Sequence, residues 1–150
     1  MLRAIPVLIA SLLALTLPAT AEGGRYGQQK VVYHLNEPGG EGDARYMRAL
    51  RNLRNHIEAV GSGNIEAKVV MHGDGLGLLA SALKNLKLQG EVANLKTTHK
   101  VAFLVCKNTL DQRKIDPDKD LFEVFKEDIV PSGVAEVSHL QKQGFTYIKP

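Results

Sequence analysis

The sequence predicts an α/β fold, one domain in which a mainly parallel, five-stranded sheet lies between helical layers. Three observations carry that prediction. Short β-branched and aromatic runs alternate with stretches whose apolar residues recur every three or four positions. Val101–Val105 is continuously apolar, as a strand covered on both faces is. Turns rich in Gly, Pro, Asn and Asp separate the segments.

The elements follow in chain order. Residues 22–29 are polar and Gly-rich and read as a flexible entry. Lys30–Leu35 is the first strand, and residues 36–42, with Pro38 and three glycines, form its exit loop. Asp43 stands as N-cap of a helix on which Met47, Leu50, Leu53, Ile57 and Val60 share a face, and Gly61 ends it. Ile65–Met71 is the second strand, with residues 72–75 as its exit. Leu79, Leu83 and Leu86 share a helical face, and Val92 with Leu95 adds a further turn or two. The third strand, Val101–Val105, runs into Cys106. A polar stretch containing Asp116-Pro117 then leads to a short helix carrying Leu121, Phe122 and Phe125. Ile129-Val130 is a fourth strand. Residues 131–133 open a helix through Val134, Val137 and Leu140, which Gly144 stops, and Phe145–Ile148 is the fifth strand.

The first 21 residues differ in kind from the rest. Fifteen of them are apolar, against 44% over the whole chain. A positive start at Arg3, an apolar run from Ile5 to Leu17 and small residues at 19–21 read as a secretory signal peptide, cut between Ala21 and Glu22. The run is shorter than the roughly 20 residues a membrane span needs. The expectation is a periplasmic or secreted protein with no membrane anchor after cleavage, a single domain filling residues 30–150. That mature chain carries 18 Lys and Arg against 16 Asp and Glu, too balanced for an electrostatic nucleic-acid binder. No internal disulfide can form, because Cys106 is the lone cysteine.

Open parallel sheets bind ligands outside the C-terminal ends of their strands. The predicted ends deliver Asn36, Glu37, His72, Asp74, Cys106, Asn108 and Ser132. Neither Gly-rich loop has the spacing of a phosphate cradle: residues 37–43 carry three carboxylates, and residues 73–77 lack the Lys-Ser/Thr ending. Arg45, Arg48, Arg51 and Arg54 spread over half a helix circumference and read as a solvated surface. The five histidines show no H-x-x-x-H spacing, so no metal site is expected, and no cofactor motif is present. His72, at a strand exit, is either a functional histidine or a satisfied structural one.

Cys106 is the most informative residue. It ends an apolar strand where a helical turn begins, with Lys107 beside it, and that setting favours the thiolate, the form that attacks sulfur. The alternative is a small hydrophobe buried at a strand end.

Two segments carry a family resemblance: Val101–Leu110, with Cys106, Lys107, Asn108 and Thr109, and the stretch Pro131–Glu136 continuing through Leu140–Pro150. The His72-Gly73 strand exit is a third element. With these residues the chain resembles the DsrE/DsrF-like family over most of 30–150. The resemblance implies a three-layer α/β/α sandwich. It also implies that Cys106, at the position of the sulfur-carrying cysteine, holds a persulfide received from a sulfur donor and passed to an acceptor, neither of which the sequence identifies. Trimers or hexamers are the assemblies it implies. Lys107 departs from the family pattern, where a small residue is common, and the export signal departs from the cytoplasmic relay members.

Three functions therefore stand at this point. One is an exported sulfur relay with Cys106 as the carrier, supported by Asn108, Thr109 and Lys107, with His72 shuttling a proton. The second is a non-catalytic module that binds a small ligand or metal in the strand-end cleft, with Asn36, Asp74 and Ser132 as its lining and Cys106 structural. The third is a homo-oligomer that holds a partner through its helices.

Overall fold

A computed structural model describes residues 24–150 of the chain. The expected leader, residues 1–21, lies outside the described residues, as do Glu22 and Gly23. Five strands form one all-parallel sheet: β1 (Gln29–Leu35), β2 (Ile65–Met71), β3 (Ala102–Cys106), β4 (Ile129–Val130) and β5 (Thr146–Ile148), in the order β4-β3-β2-β1-β5. The helices are α1 (Ala44–Val60), α2 (Gly77–Ala82), α3 (Leu86–Thr97), α4 (Lys107–Arg113), α5 (Pro117–Asp120) and α6 (Gly133–Lys142). The α/β class, the parallel sheet and its five strands are as the sequence predicts.

Topology explains the layers. From β1 to β4 the chain steps across the sheet in one direction. Right-handed crossovers then place α1 to α5 on a single face. The return from β4 to β5 runs the opposite way, so the same handedness puts α6 on the other face. Strand alternation serves both. Val31, Tyr33 and Leu35, with Val69, Met71, Phe103 and Val105, pack under α1 to α3. Val32, Val70 and Leu104 pack under Val137 and Leu140 of α6, together with Phe145.

Four local expectations are corrected. Asp43 does not cap α1: it sits in the left-handed region, and its carboxylate accepts hydrogen bonds from Ser81 Oγ (2.8 Å) and Asn85 Nδ2 (3.1 Å). The stretch from Leu79 to Leu86 is not one helix. Asn85 breaks it, its side chain accepting from the Lys87 and Leu88 N–H groups to start α3, and Leu83 and Leu86 are left exposed. Asp116 and Pro117 begin α5, which ends at Asp120, so Leu121, Phe122 and Phe125 are not helical: Leu121 is buried and Phe125 exposed. Gln29, expected in the entry segment, already pairs with Ile65 in the sheet. Among the described residues no helix is long and apolar enough to cross a membrane.

Candidate functional site

The ends of four neighbouring strands build the site. Gly75 holds the β2 exit against β1: a Cβ there would stand 2.0 Å from the Leu35 carbonyl oxygen, so only glycine permits the turn. Cys106 closes β3 and is immediately followed by α4, whose first turn offers backbone N–H groups without intrahelical partners. Cys106 is 4% exposed and belongs to neither apolar cluster.

Its surroundings are polar. Burial alone pushes the thiol up. Four donors more than offset it and hold Cys106 below the ordinary thiol range: the Gly133 N–H, the Thr109 hydroxyl, and the N–H groups of Thr109 and Asn108. Thr109 is the one buried polar residue among the described residues. Its oxygen accepts from the Gly73 N–H at 3.0 Å, which leaves its own proton free to point at sulfur. Gly133, first residue of α6, lies against both partners of the site. A Cβ on it would come within 3.0 Å of His72 Cβ and 3.3 Å of Cys106 Cβ.

His72 shares the Gly133 contact with Cys106 and turns its Nε2 towards β1. Its Nε2 lies 2.7 Å from His34 Nε2, and His34 Nδ1 lies 2.9 Å from the Tyr147 hydroxyl. Burial first, then His72 and Lys149, push the His34 imidazole down to about 4. Burial and Lys149 lower His72 as well. Both rings are therefore neutral at neutral pH. The Lys149 ammonium is held by Asn36 Oδ1 and, at 3.2 Å, by Glu37. It borders a cleft of about 250 Å³ outside the ends of β1 and β5, lined by Asn36, Glu37, Arg45, Arg48 and Lys149 among others. This is where the winding direction of the sheet reverses, the usual place for a ligand in such folds.

The structure thus joins Cys106, Thr109, the Asn108 backbone and His72, and disperses the other expected residues. Lys107 is exposed and gives its ammonium to Asp111 at 2.5 Å. The Asn108 side chain makes no hydrogen bond among the described residues; its N–H donates to the Pro131 carbonyl at 3.4 Å and helps to lower the nearby thiol. Asp74 pairs with Arg113 (2.8 Å) beside a separate cleft of about 470 Å³. Ser132 Oγ caps α6 through the Ala135 N–H. Reasoning from sequence overlooked His34, Tyr147, Lys149 and Gly133. Among the described residues no three His, Cys, Asp or Glu side chains converge as a metal ion would require.

An all-parallel sheet with a polar-cradled cysteine at a strand end defines an α/β protein with a thiolate-favouring site. The family model for the DsrE/DsrF-like family matches residues 29–150, and the chain belongs to that family. Among solved structures it is similar to MTH1491 from Methanobacterium thermoautotrophicum, described as a protein of unknown function. The two share 28% identity at a TM-score of 0.66, covering 82% of this chain and 100% of that one. No curated protein matches the chain.

Proposed function

We propose that this protein is an exported sulfur carrier that holds sulfane sulfur as a persulfide on Cys106. The supporting observation is the setting of the thiol: Cys106 stands where β3 meets α4, packed against Gly133 at the start of α6, and the donors of Gly133, Thr109 and Asn108 hold it below the ordinary thiol range. A cysteine serving only as a core hydrophobe has no use for them, whereas a thiolate that must attack sulfur, and later leave it, is stabilised by every one. In loading, the Cys106 thiolate attacks the outer sulfur of a donor persulfide R–S–SH. The new S–S bond forms on Cys106 as the donor's own S–S bond breaks, and R–S⁻ departs. Sulfur is transferred without any added oxidant or reductant.

Two further parts belong to the proposal. Cleavage after Ala21 delivers the mature chain from Glu22 to the periplasm or exterior. The α6 side of the sheet is taken to meet further copies in a trimer or hexamer: one helix covers it, and Val134 of that helix remains 63% exposed. Native mass spectrometry of the exported protein after exposure to a low-molecular-weight persulfide reads all of this together. The expected spectrum shows a chain starting at Glu22, one added sulfur per chain lost in Cys106→Ser, and a mass of three or six subunits. Full loading of Cys106→Ser would overturn the carrier reading.

The burial of Cys106 favours a second reading, in which the thiol is structural and the cleft beside Lys149 binds a small ligand. Under it, iodoacetamide reaches Cys106 only after unfolding. The carrier reading expects native alkylation that persists below the free-thiol pKa of about 8.5.

A further inference from the structure

Tyr147, His34 and His72 form an unbroken hydrogen-bonded row that the Cys106 cradle does not account for. They come from β5, β1 and the exit of β2, three adjacent positions in the sheet, and Cys106 on β3 is the next. Strand alternation puts all four on the α6 face. Tyr147 pairs with Val32, which packs under α6, and His34 follows Val32 by two residues. His34 in turn pairs with Val70, and Val70 with Leu104; His72 and Cys106 follow those two by two residues each.

A 2.7 Å contact between two Nε2 atoms requires a proton on one ring and none on the other. Both rings being neutral, there are two ways to satisfy it. In the first, the Tyr147 O–H donates to His34 Nδ1, His34 Nε2–H donates to His72 Nε2, and His72 carries its proton on Nδ1. In the second, His72 Nε2–H donates to His34 Nε2, His34 Nδ1–H donates to the Tyr147 oxygen, and His72 Nδ1 is bare. Among the described residues nothing hydrogen-bonds to His72 Nδ1. The hydroxyl serves either arrangement, since it both donates and accepts. The groups facing the row are Lys149, itself held by Asn36 and Glu37, and, from α6, the uncharged Gly133, which borders both His72 and Cys106.

We propose that Tyr147, His34 and His72 are a proton relay between solvent and the sulfur exchange at Cys106, running inward during loading and outward during unloading. This rests on the reading of Cys106 as a sulfur carrier. In loading, R–S⁻ leaves the donor and takes the proton of His72 Nδ1. His72 Nε2 is refilled from His34 Nε2, His34 Nδ1 from Tyr147, and the tyrosine oxygen from water. The row has then passed from the first arrangement to the second. In unloading, an acceptor thiol R′–SH gives its proton to the bare His72 Nδ1. R′–S⁻ attacks the outer sulfur of Cys106–S–SH, forming R′–S–SH and releasing the Cys106 thiolate, and one proton leaves through Tyr147. One proton enters and one departs per cycle, and the row returns to its start. His72 meets the substrate, while His34 and Tyr147 act through it as positioning residues.

The choice of acceptor tests this. A thiol must lose a proton to accept sulfur; sulfite, a proton-free dianion in mildly alkaline buffer, need not. In persulfide-loaded protein, Tyr147→Phe and His34→Gln are expected to lower the ratio of thiol to sulfite transfer rates about tenfold. The deficit should vanish at alkaline pH, where the thiol arrives ionised. An unchanged ratio, or equal slowing with both acceptors, would overturn the relay. A protein that takes up no sulfur fails as a carrier, which is a separate result. The imidazole ¹⁵N spectra of His34 and His72 decide the relay even then: averaging between two tautomers at both rings supports it, and one fixed tautomer at each ring overturns it.

Discussion

The two faces of the sheet are built from the same strands and do different work. The face under α1 to α3 gathers 24 buried residues into one apolar cluster, whereas the α6 face gathers six, so the first carries most of the hydrophobic stabilisation. Positions on the α6 face that apolar residues do not fill hold Lys30, Lys68, His34, His72, Tyr147 and Cys106. A sheet under one helix has room at its margin for polar side chains and substrate. Stability and chemistry are thereby separated by strand parity, with odd and even neighbours in β1 serving opposite ends.

That contrast is open to direct attack. Phe103 and Leu104 are adjacent in β3 and point to opposite faces, at 1% and 8% exposure. Phe103→Ala should cost about 3–5 kcal/mol and Leu104→Ala about 2–3 kcal/mol, by the cavity each leaves. Urea denaturation of both variants checks it, and equal losses would erase the distinction between the faces. A smaller change sharpens the comparison from the side of the chemistry. Thr109→Val keeps the shape but strands the Gly73 N–H and removes a donor from the thiol. A loss of about 1–3 kcal/mol is expected. Cys106 alkylation should also shift to higher pH, an effect that no core substitution under α1 would produce.

The fold was legible in the sequence and the site only partly so, for reasons that lie in particular residues. Val101–Val105 announces a doubly covered strand by itself. The apolar rhythm from Met47 to Val60 needs nothing beyond helical periodicity. Asp43 was misread as a cap because its carboxylate is held by Ser81 and Asn85, partners 38 and 42 residues away. Cys106 and His72 stood out as strand ends. His34 did not, since within its strand it is one polar residue among apolar ones. Its meaning comes from the pairing of β1 with β2, 38 residues further along to His72, and that of Tyr147 from β5 returning to the far edge. Alternation was readable, but strand order was not, and only the order turns three scattered residues into a row.

Acid is the mildest probe of the comparison. The half-buried row keeps His34 neutral, pushed down to about 4 against 6.5 in an unfolded chain. Between those values the unfolded chain binds a proton that the folded one refuses, so stability falls as pH drops from about 6.5 towards 4 and levels off below. Half-burial and coupling to His72 limit the share of His34 to about 1–2 kcal/mol. Burial also lowers His72, and His56, which contacts Tyr33 on the opposite face, so both add in the same direction. His34→Gln should flatten thermal stability over this window without abolishing its slope. His56→Gln should remove a smaller part of the slope and leave the acceptor preference of the loaded protein as it was. If His56→Gln instead shifted that preference, the two faces would be coupled through the sheet, and the division of labour between them would fail.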